Sequence, residues 1–212
     1  DRDSSTIYRI DSSGTIETLL TGHQWNSIKF IGGFLYASQD NTGISKIDLS
    51  GIVLNTYSST GTTVAGDNGS GSNANQLDDN TGVVVDSSNN VYVLDRDNHR
   101  LQKWAPGAST GVTILGGNGA GSNSNQLNKP MGMDIDSSGN IYIADKENHR
   151  IQKYTSGSTA TTVAGGNGFG SNANQLLEPM GVAIDSSGNL YVADGGNDRI
   201  QKFASGFSSS TN

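Results

Sequence analysis

The sequence predicts an all-β fold, a β-propeller of four-stranded antiparallel blades with about four to five blades represented. Three observations predict it. The stretch Met131–Tyr154, MGMDIDSSGNIYIADKENHRIQKY, returns as Met180–Phe203 and, more loosely, as Thr81–Trp104. Tyr92, Tyr142 and Tyr191 mark one position in each copy, 50 and then 49 residues apart, and a fixed period of that size signals a repeat architecture. Within each copy the runs grow more polar toward the end, so one unit alone has no way to bury its inner faces and must pack radially on its neighbours.

The first run of a copy is short and apolar: Gly82–Val85, Gly132–Ile135, Gly181–Ile184. It ends in Asp-Ser-Ser-Gly/Asn-Asn, where the Asp accepts a backbone N–H two residues on and Gly or Asn takes the positive φ of a tight hairpin. The second run, Asn140–Ala144 in the best copy, is nearly all apolar between turn signals, which suits a strand buried on both faces. Arg150–Tyr154 alternates in character, as a half-exposed strand does. Thr62–Ala65, Val112–Leu115 and Thr161–Ala164 form the fourth run.

Taken in order, the chain divides into a partial blade (1–22), a divergent blade (23–75), two full blades (76–125 and 126–175), a partial blade (176–207) and a tail (208–212). Asp1–Ile10 lines up without gaps against Asp95–Trp104, so the chain is expected to enter mid-blade, either in a closed four-bladed ring or as a piece of a larger one. The divergent blade reads Ser27–Phe30, Phe34–Ser38, Ile44–Asp48 and Ile52–Tyr57. Gln39 stands there in place of the recurring Asp, and the Arg is missing. Gly66–Leu77 returns as Gly116–Leu127 and Gly165–Leu176. These linkers must pass from the outer edge of one blade to the inner strand of the next and so occupy one rim.

Composition narrows the function. The net charge is −7 with no Lys/Arg cluster, which disfavours nucleic acid. No stretch approaches the length of a membrane helix, so membrane insertion is not expected. There is no cysteine, hence no disulfide framework or thiolate metal site. The Asn/Ser/Thr/Gly-rich surface and the sequon Asn68-Gly69-Ser70, with Asn68 a glycosylation candidate, point to an extracellular setting.

Among propeller sequences the WD dipeptide is missing, and the Gly-Gly pairs follow the fourth run rather than the second, unlike kelch. Asn148-His149-Arg150-Ile151 and Asn98-His99-Arg100-Leu101, each after Tyr-x-x-Asp, resemble the motif of the NHL repeat; Asn197-Asp198-Arg199-Ile200 departs by one residue. The resemblance covers residues 81–203 and implies a propeller whose rings usually carry five or six blades. Some members of that kind are metal-dependent lyases that use several His on the axis, a set that three His here do not supply.

Two polar sets recur. Asp95, Asp145 and Asp194 with Arg100, Arg150 and Arg199 are either a ring of anion-binding arginines or structural pairs between blades; recurrence in every well-formed copy favours structure. Asn68, Asn118 and Asn167 with Gln76, Gln126 and Gln175 are the candidate ligand-binding residues, because each amide both donates and accepts toward a hydroxyl-rich ligand. The same residues are what tight turns require, and that is the weightier reading. His99 and His149 match across blades, but Asp198 and Gly43 fill the corresponding slots elsewhere, so no metal and no cofactor are expected. Asp134 interrupts an apolar inner strand either as a channel-lining ligand or as a satisfied acid. The expected function is non-catalytic binding of protein or carbohydrate through one rim. The alternatives are a structural subunit of an extracellular assembly, self-associating through an unpaired edge strand, and a metal-dependent lyase or hydrolase.

Overall fold

The computed structural model describes residues 61–205 in full and, before them, the backbone of five strands: β1 (Thr6–Ile10), β2 (Ile16–Thr21), β3 (Trp25–Ile31), β4 (Phe34–Gln39) and β5 (Gly43–Asp48). Then come β6 (Thr62–Ala65), β7 (Asn80–Val85), β8 (Val91–Asp95), β9 (Arg100–Trp104), β10 (Val112–Gly116), β11 (Pro130–Ile135), β12 (Ile141–Asp145), β13 (Arg150–Tyr154), β14 (Ala160–Gly165), β15 (Pro179–Ile184), β16 (Leu190–Asp194) and β17 (Arg199–Phe203). They form antiparallel meanders: β1-β2, β3-β4-β5-β6, β7-β8-β9-β10, β11-β12-β13-β14 and β15-β16-β17. The fourth place beside β5 belongs to β6. The run Ile52–Tyr57, expected there, lies outside the described residues.

Each hairpin forms for a reason legible in the turn. Asp136 Oδ1 accepts the backbone N–H of Ser138 and of Asn140, both at 2.9 Å, while Gly139 takes φ 82°. Asp136 Oδ2 accepts from Asn140 Nδ2 at 2.7 Å and from the Tyr142 hydroxyl at 3.2 Å. The same bonds recur at Asp86 and Asp185, with Asn89 at φ 62° where the other copies have Gly. The turn thus fixes the register of the strands on either side.

The core lies between blades rather than within them. One cluster joins Ala65 of β6 to Val83, Val85, Val91, Val93 and Trp104 of the next sheet. A second joins Val84, Leu94, Leu101 and Leu115 to Ile141, Ile143 and Ala160. Successive residues of β7 and β8 therefore face opposite neighbours, which is why their sequences read as continuous apolar runs. A linker leucine (Leu77, Leu127 or Leu176) closes each cluster. Burying Leu127 completely contributes about 1.5–3 kcal/mol.

Near the axis the inner strands β7, β11 and β15 approach closely. Thr81 Oγ1 donates to the Pro130 carbonyl at 2.9 Å. A Cβ on Gly132 would lie 2.7 Å from the Met180 carbonyl oxygen, so only glycine lets β11 sit that near β15. Among the described residues no helix is long and apolar enough to cross a membrane.

Candidate binding rim

The ends of the strands set where polar residues gather. Asn80 pairs with Asp95, Asp95 with Arg100 and Arg100 with Gly116, so the β8–β9 turn and both linkers of that blade share one end of the sheet. The recurring Asp lies at this end. Asp95 is fully buried and accepts the Asp78 N–H at 2.8 Å, Asn98 Nδ2 at 3.0 Å and Arg100 Nε at 2.6 Å. The remaining nitrogens of Arg100 donate to the carbonyls of Ser72, Asn73 and Gln76 at 2.8, 3.1 and 3.1 Å. Asn98 also reaches the Gly71 carbonyl at 2.9 Å.

Asp145, Asn148 and Arg150 repeat this arrangement on Gly121–Gln126, and Asp194, Asn197 and Arg199 repeat it on Gly170–Gln175. Every guanidinium is a fork gripping the linker that leads into its own blade. Burial raises Asp95 and Asp145 above the usual carboxylate range against the pull of these donors. At Asp194, with no strand beyond β17 in its sheet among the described residues, burial raises the carboxyl less than its donors lower it, and it lies below the usual value.

Sequence reasoning missed the role of the histidines. His99 Nδ1 accepts the backbone N–H of Lys129 at 3.1 Å, and His149 Nδ1 that of Glu178 at 3.1 Å. Each ring reaches from one blade to the first residue before the next. Ion pairs follow the same path: Lys129 Nζ to Asp97 at 2.8 Å and Lys146 Nζ to Glu178 at 3.0 Å. Burial and the neighbouring Lys129 ammonium hold His99 below its ordinary value, which keeps Nδ1 an acceptor. The signal available in the sequence was the spacing of about thirty residues from His to the Lys/Glu-Pro pair, visible only once blades are stacked. Asp134 also joins blades: Oδ2 accepts the Ile184 N–H at 3.0 Å, and Oδ1 accepts from Ile135 at 2.9 Å.

The linker amides mostly bond within their own loops. Asn68 Nδ2 donates to the Gly66 and Asn75 carbonyls, both at 3.1 Å, and Asn167 Nδ2 to Asn174 at 3.1 Å. Gln76, Gln126 and Gln175 donate to the carbonyls of Asn68, Asn118 and Asn167 at 2.9, 3.4 and 3.2 Å. The linkers also detour along the outer strand of the following blade: the Ala74 carbonyl accepts from Gly111 and Ser124 from Ala160, both at 2.7 Å.

Between two linkers lies an open cleft of about 740 Å³ whose lining includes Ser72, Asp97, His99, Thr113, Asn118 and Asn125. On the next linker, Phe169 is 69% exposed and packs edge-on against His149, ring centroids 5.6 Å apart. Among the described residues no group of three His, Cys, Asp or Glu side chains is placed to hold a metal ion.

The NHL repeat profile matches residues 81–104, 127–154 and 176–203. The chain is an NHL-repeat β-propeller protein. The matched segments of this NHL chain end with β9, β13 and β17, leaving most of each linker and both outer strands β10 and β14 outside them. Among solved structures, an auxiliary nutrient binding protein from Bacteroides thetaiotaomicron is similar over 95% of this chain and 53% of its own, at 20% identity and TM-score 0.68. A streptogramin B lyase is similar over 98% and 61%, at 12% identity and TM-score 0.65. A chain of the nidogen/laminin complex is similar over 95% and 71%, at 16% identity and TM-score 0.69. At these identities the likeness concerns the fold. The chain spans about half the length of the nutrient binding protein and three-fifths of the lyase, so its sheets represent part of such a ring. Among curated proteins no match is found.

Proposed function

We propose that this NHL propeller is a non-catalytic binding module, extracellular in setting, that takes a glycan or the polar face of a protein on its linker rim. The cleft of about 740 Å³ carries the reading, since its lining offers hydroxyl, amide and imidazole groups in one concavity. Arg100 and Arg150 pre-form the linkers on either side, so little ordering would be needed on binding. Phe169, exposed on the next linker against His149, adds an aromatic face to the same series of loops. The recurring carboxylates are already engaged by Arg, Asn and backbone N–H, which leaves them poorly placed for acid–base work. The test is a glycan and extracellular-protein array, followed by calorimetry with Asn125→Ala and Phe169→Ala. Weakened binding with unchanged melting supports the rim. Binding indifferent to both changes, or turnover that depends on added metal, overturns it in favour of another face or of a lyase.

A second reading rests on one contrast. Leu101 and Ile151 are buried in the clusters between blades, whereas Ile200 at the matching place on β17 is 70% exposed. A neighbouring chain that packs a sheet on that face and pairs a strand with the outer edge of β17 would complete an assembly. Sedimentation showing a monomer, with amides of residues 199–203 exchanging fast, would count against it.

A further inference from the structure

Three linkers carry the same dipeptide: Asn68-Gly69, Asn118-Gly119 and Asn167-Gly168. An asparagine followed by glycine is chemically labile, because no Cβ shields the next backbone nitrogen. That nitrogen can attack the side-chain carbonyl carbon. The N–C bond forms, the C–NH₂ bond breaks, ammonia leaves with the proton released from the backbone nitrogen, and a five-membered succinimide results. Water then opens the ring to aspartate or isoaspartate, and no oxidant or cofactor takes part.

The fold treats the three sites differently. Asn68 Nδ2 is held by two carbonyls and Asn167 Nδ2 by one, whereas Asn118 Nδ2 makes no hydrogen bond among the described residues. The bond bracing the same backbone from the glutamine side is also longest there: 3.4 Å from Gln126, against 2.9 Å from Gln76 and 3.2 Å from Gln175. Asn118 and Gly119 are both exposed, and space beside the Gly119 Cα is open. A clamped amide must break its hydrogen bonds before its carbonyl carbon turns toward the nitrogen; a free one turns at once. We infer that Asn118 is a site of spontaneous modification, converting to aspartate and isoaspartate ahead of Asn68 and Asn167. The product places a carboxylate in the cleft lined by Asp97 and His99. Its isoaspartate form also lengthens the linker backbone just before the carbonyls that Arg150 grips.

The experiment is peptide mapping by mass spectrometry on the intact protein aged in mildly alkaline buffer, following the mass gain of amide-to-acid exchange at each site. A hydrogen bond of ordinary strength biases a rotatable amide roughly fivefold, so Asn118 should lead by about that factor. Equal rates, or Asn68 or Asn167 leading, overturn the inference. The same protein aged in strong urea isolates the contribution of the fold, because the dipeptide is identical at all three sites. Rates that converge in urea support the inference; a lead for Asn118 that persists in urea assigns it to flanking sequence and overturns it. Neither outcome depends on what the cleft binds.

Discussion

Replacing Arg150 with alanine tests whether the recurring Asp–Arg set holds the blades together. Asp145 is 0% exposed and its Oδ2 lies 2.7 Å from Arg150 Nε. Without the guanidinium, the carboxylate keeps only the Asn128 N–H at 2.7 Å and the Asn148 amide at 2.8 Å. Removing one partner of a buried pair costs about 3–5 kcal/mol. The carbonyls of Ser122 and Asn123 sit on exposed residues, so water replaces their lost donors and they add little. Arg199 makes the same bonds with its side chain 30% exposed, so Arg199→Ala should cost about 1.5–3 kcal/mol, the range of a hydrogen bond to a charged group.

The assay is urea unfolding of both variants, read alongside hydrogen exchange at residues 121–127, since a repeat array need not unfold in one step. The sign of the pH dependence is a further check. Burial already raises Asp145, and losing Arg150 raises it more, so the folded variant binds more protons than the unfolded chain over a wider window. Its stability should fall as pH rises through that window, making the deficit larger at about pH 8 than at about pH 5. An Asp145→Ala, Arg150→Ala double variant should recover part of the loss by removing the orphaned charge. Equal costs for Arg150→Ala and Arg199→Ala, or no recovery in the double variant, would refute the reasoning.

Three more expectations follow from packing and titration. Ile151→Ala, at a site with no exposure, should cost about 2–5 kcal/mol, and Ile200→Ala less than about 0.5 kcal/mol, both measurable by thermal unfolding. Gly132→Ala should destabilise by about 1–3 kcal/mol, because its Cβ meets the Met180 backbone. Gly181→Ala, whose nearest neighbour is the Ala193 Cβ at 3.6 Å, should melt close to wild type. The His99 value is depressed, so its contribution is present above the unfolded imidazole value and is lost as pH falls through the folded one. His99→Asn, which tolerates the φ of 53° found there, should flatten that acid slope in a pH series of urea midpoints, with Lys129, Asp97, Asp145 and Asp95 as the surrounding charges.

What could be read in the sequence was whatever a repeat settles locally. The Asp136–Asn140 turn, the inner apolar runs and the pairing of Asp145 with Arg150 all act within a few residues, so one copy suffices to infer them. The unread part acts across 24–30 residues: Arg150 on the Ser122–Gln126 carbonyls and His149 on the Glu178 N–H. A one-dimensional pattern shows that His99 and His149 recur; only stacked sheets show what they touch. The fourth run read at Thr62–Ala65 is β6 and pairs with β5, whereas Ile52–Tyr57, expected as the outer strand of the divergent blade, lies outside the described residues. An outer strand needs only one apolar face, so its text is weak.

The bonding pattern also narrows where the proposed binding would find unengaged groups. Two sets of residues identical in all three copies already have partners: Asp95, Asp145 and Asp194 with Arg100, Arg150 and Arg199; Tyr92, Tyr142 and Tyr191 with the turn carboxylates. Those tyrosines also lie under Lys103, Lys153 and Lys202, at 5.4, 5.4 and 5.3 Å from the ring centres. A group satisfied within the fold has little to offer a ligand, because binding would first have to break those bonds. The copies disagree elsewhere: Phe169 stands against Ala120 and Ser70, and Gly195-Gly196 against Lys146-Glu147 and Arg96-Asp97. Recurrence here marks the structural residues. Recognition by this chain should therefore map to the departures from its own repeat, and those departures fall on the linkers and on the β8–β9 type of turn, at one end of the sheets.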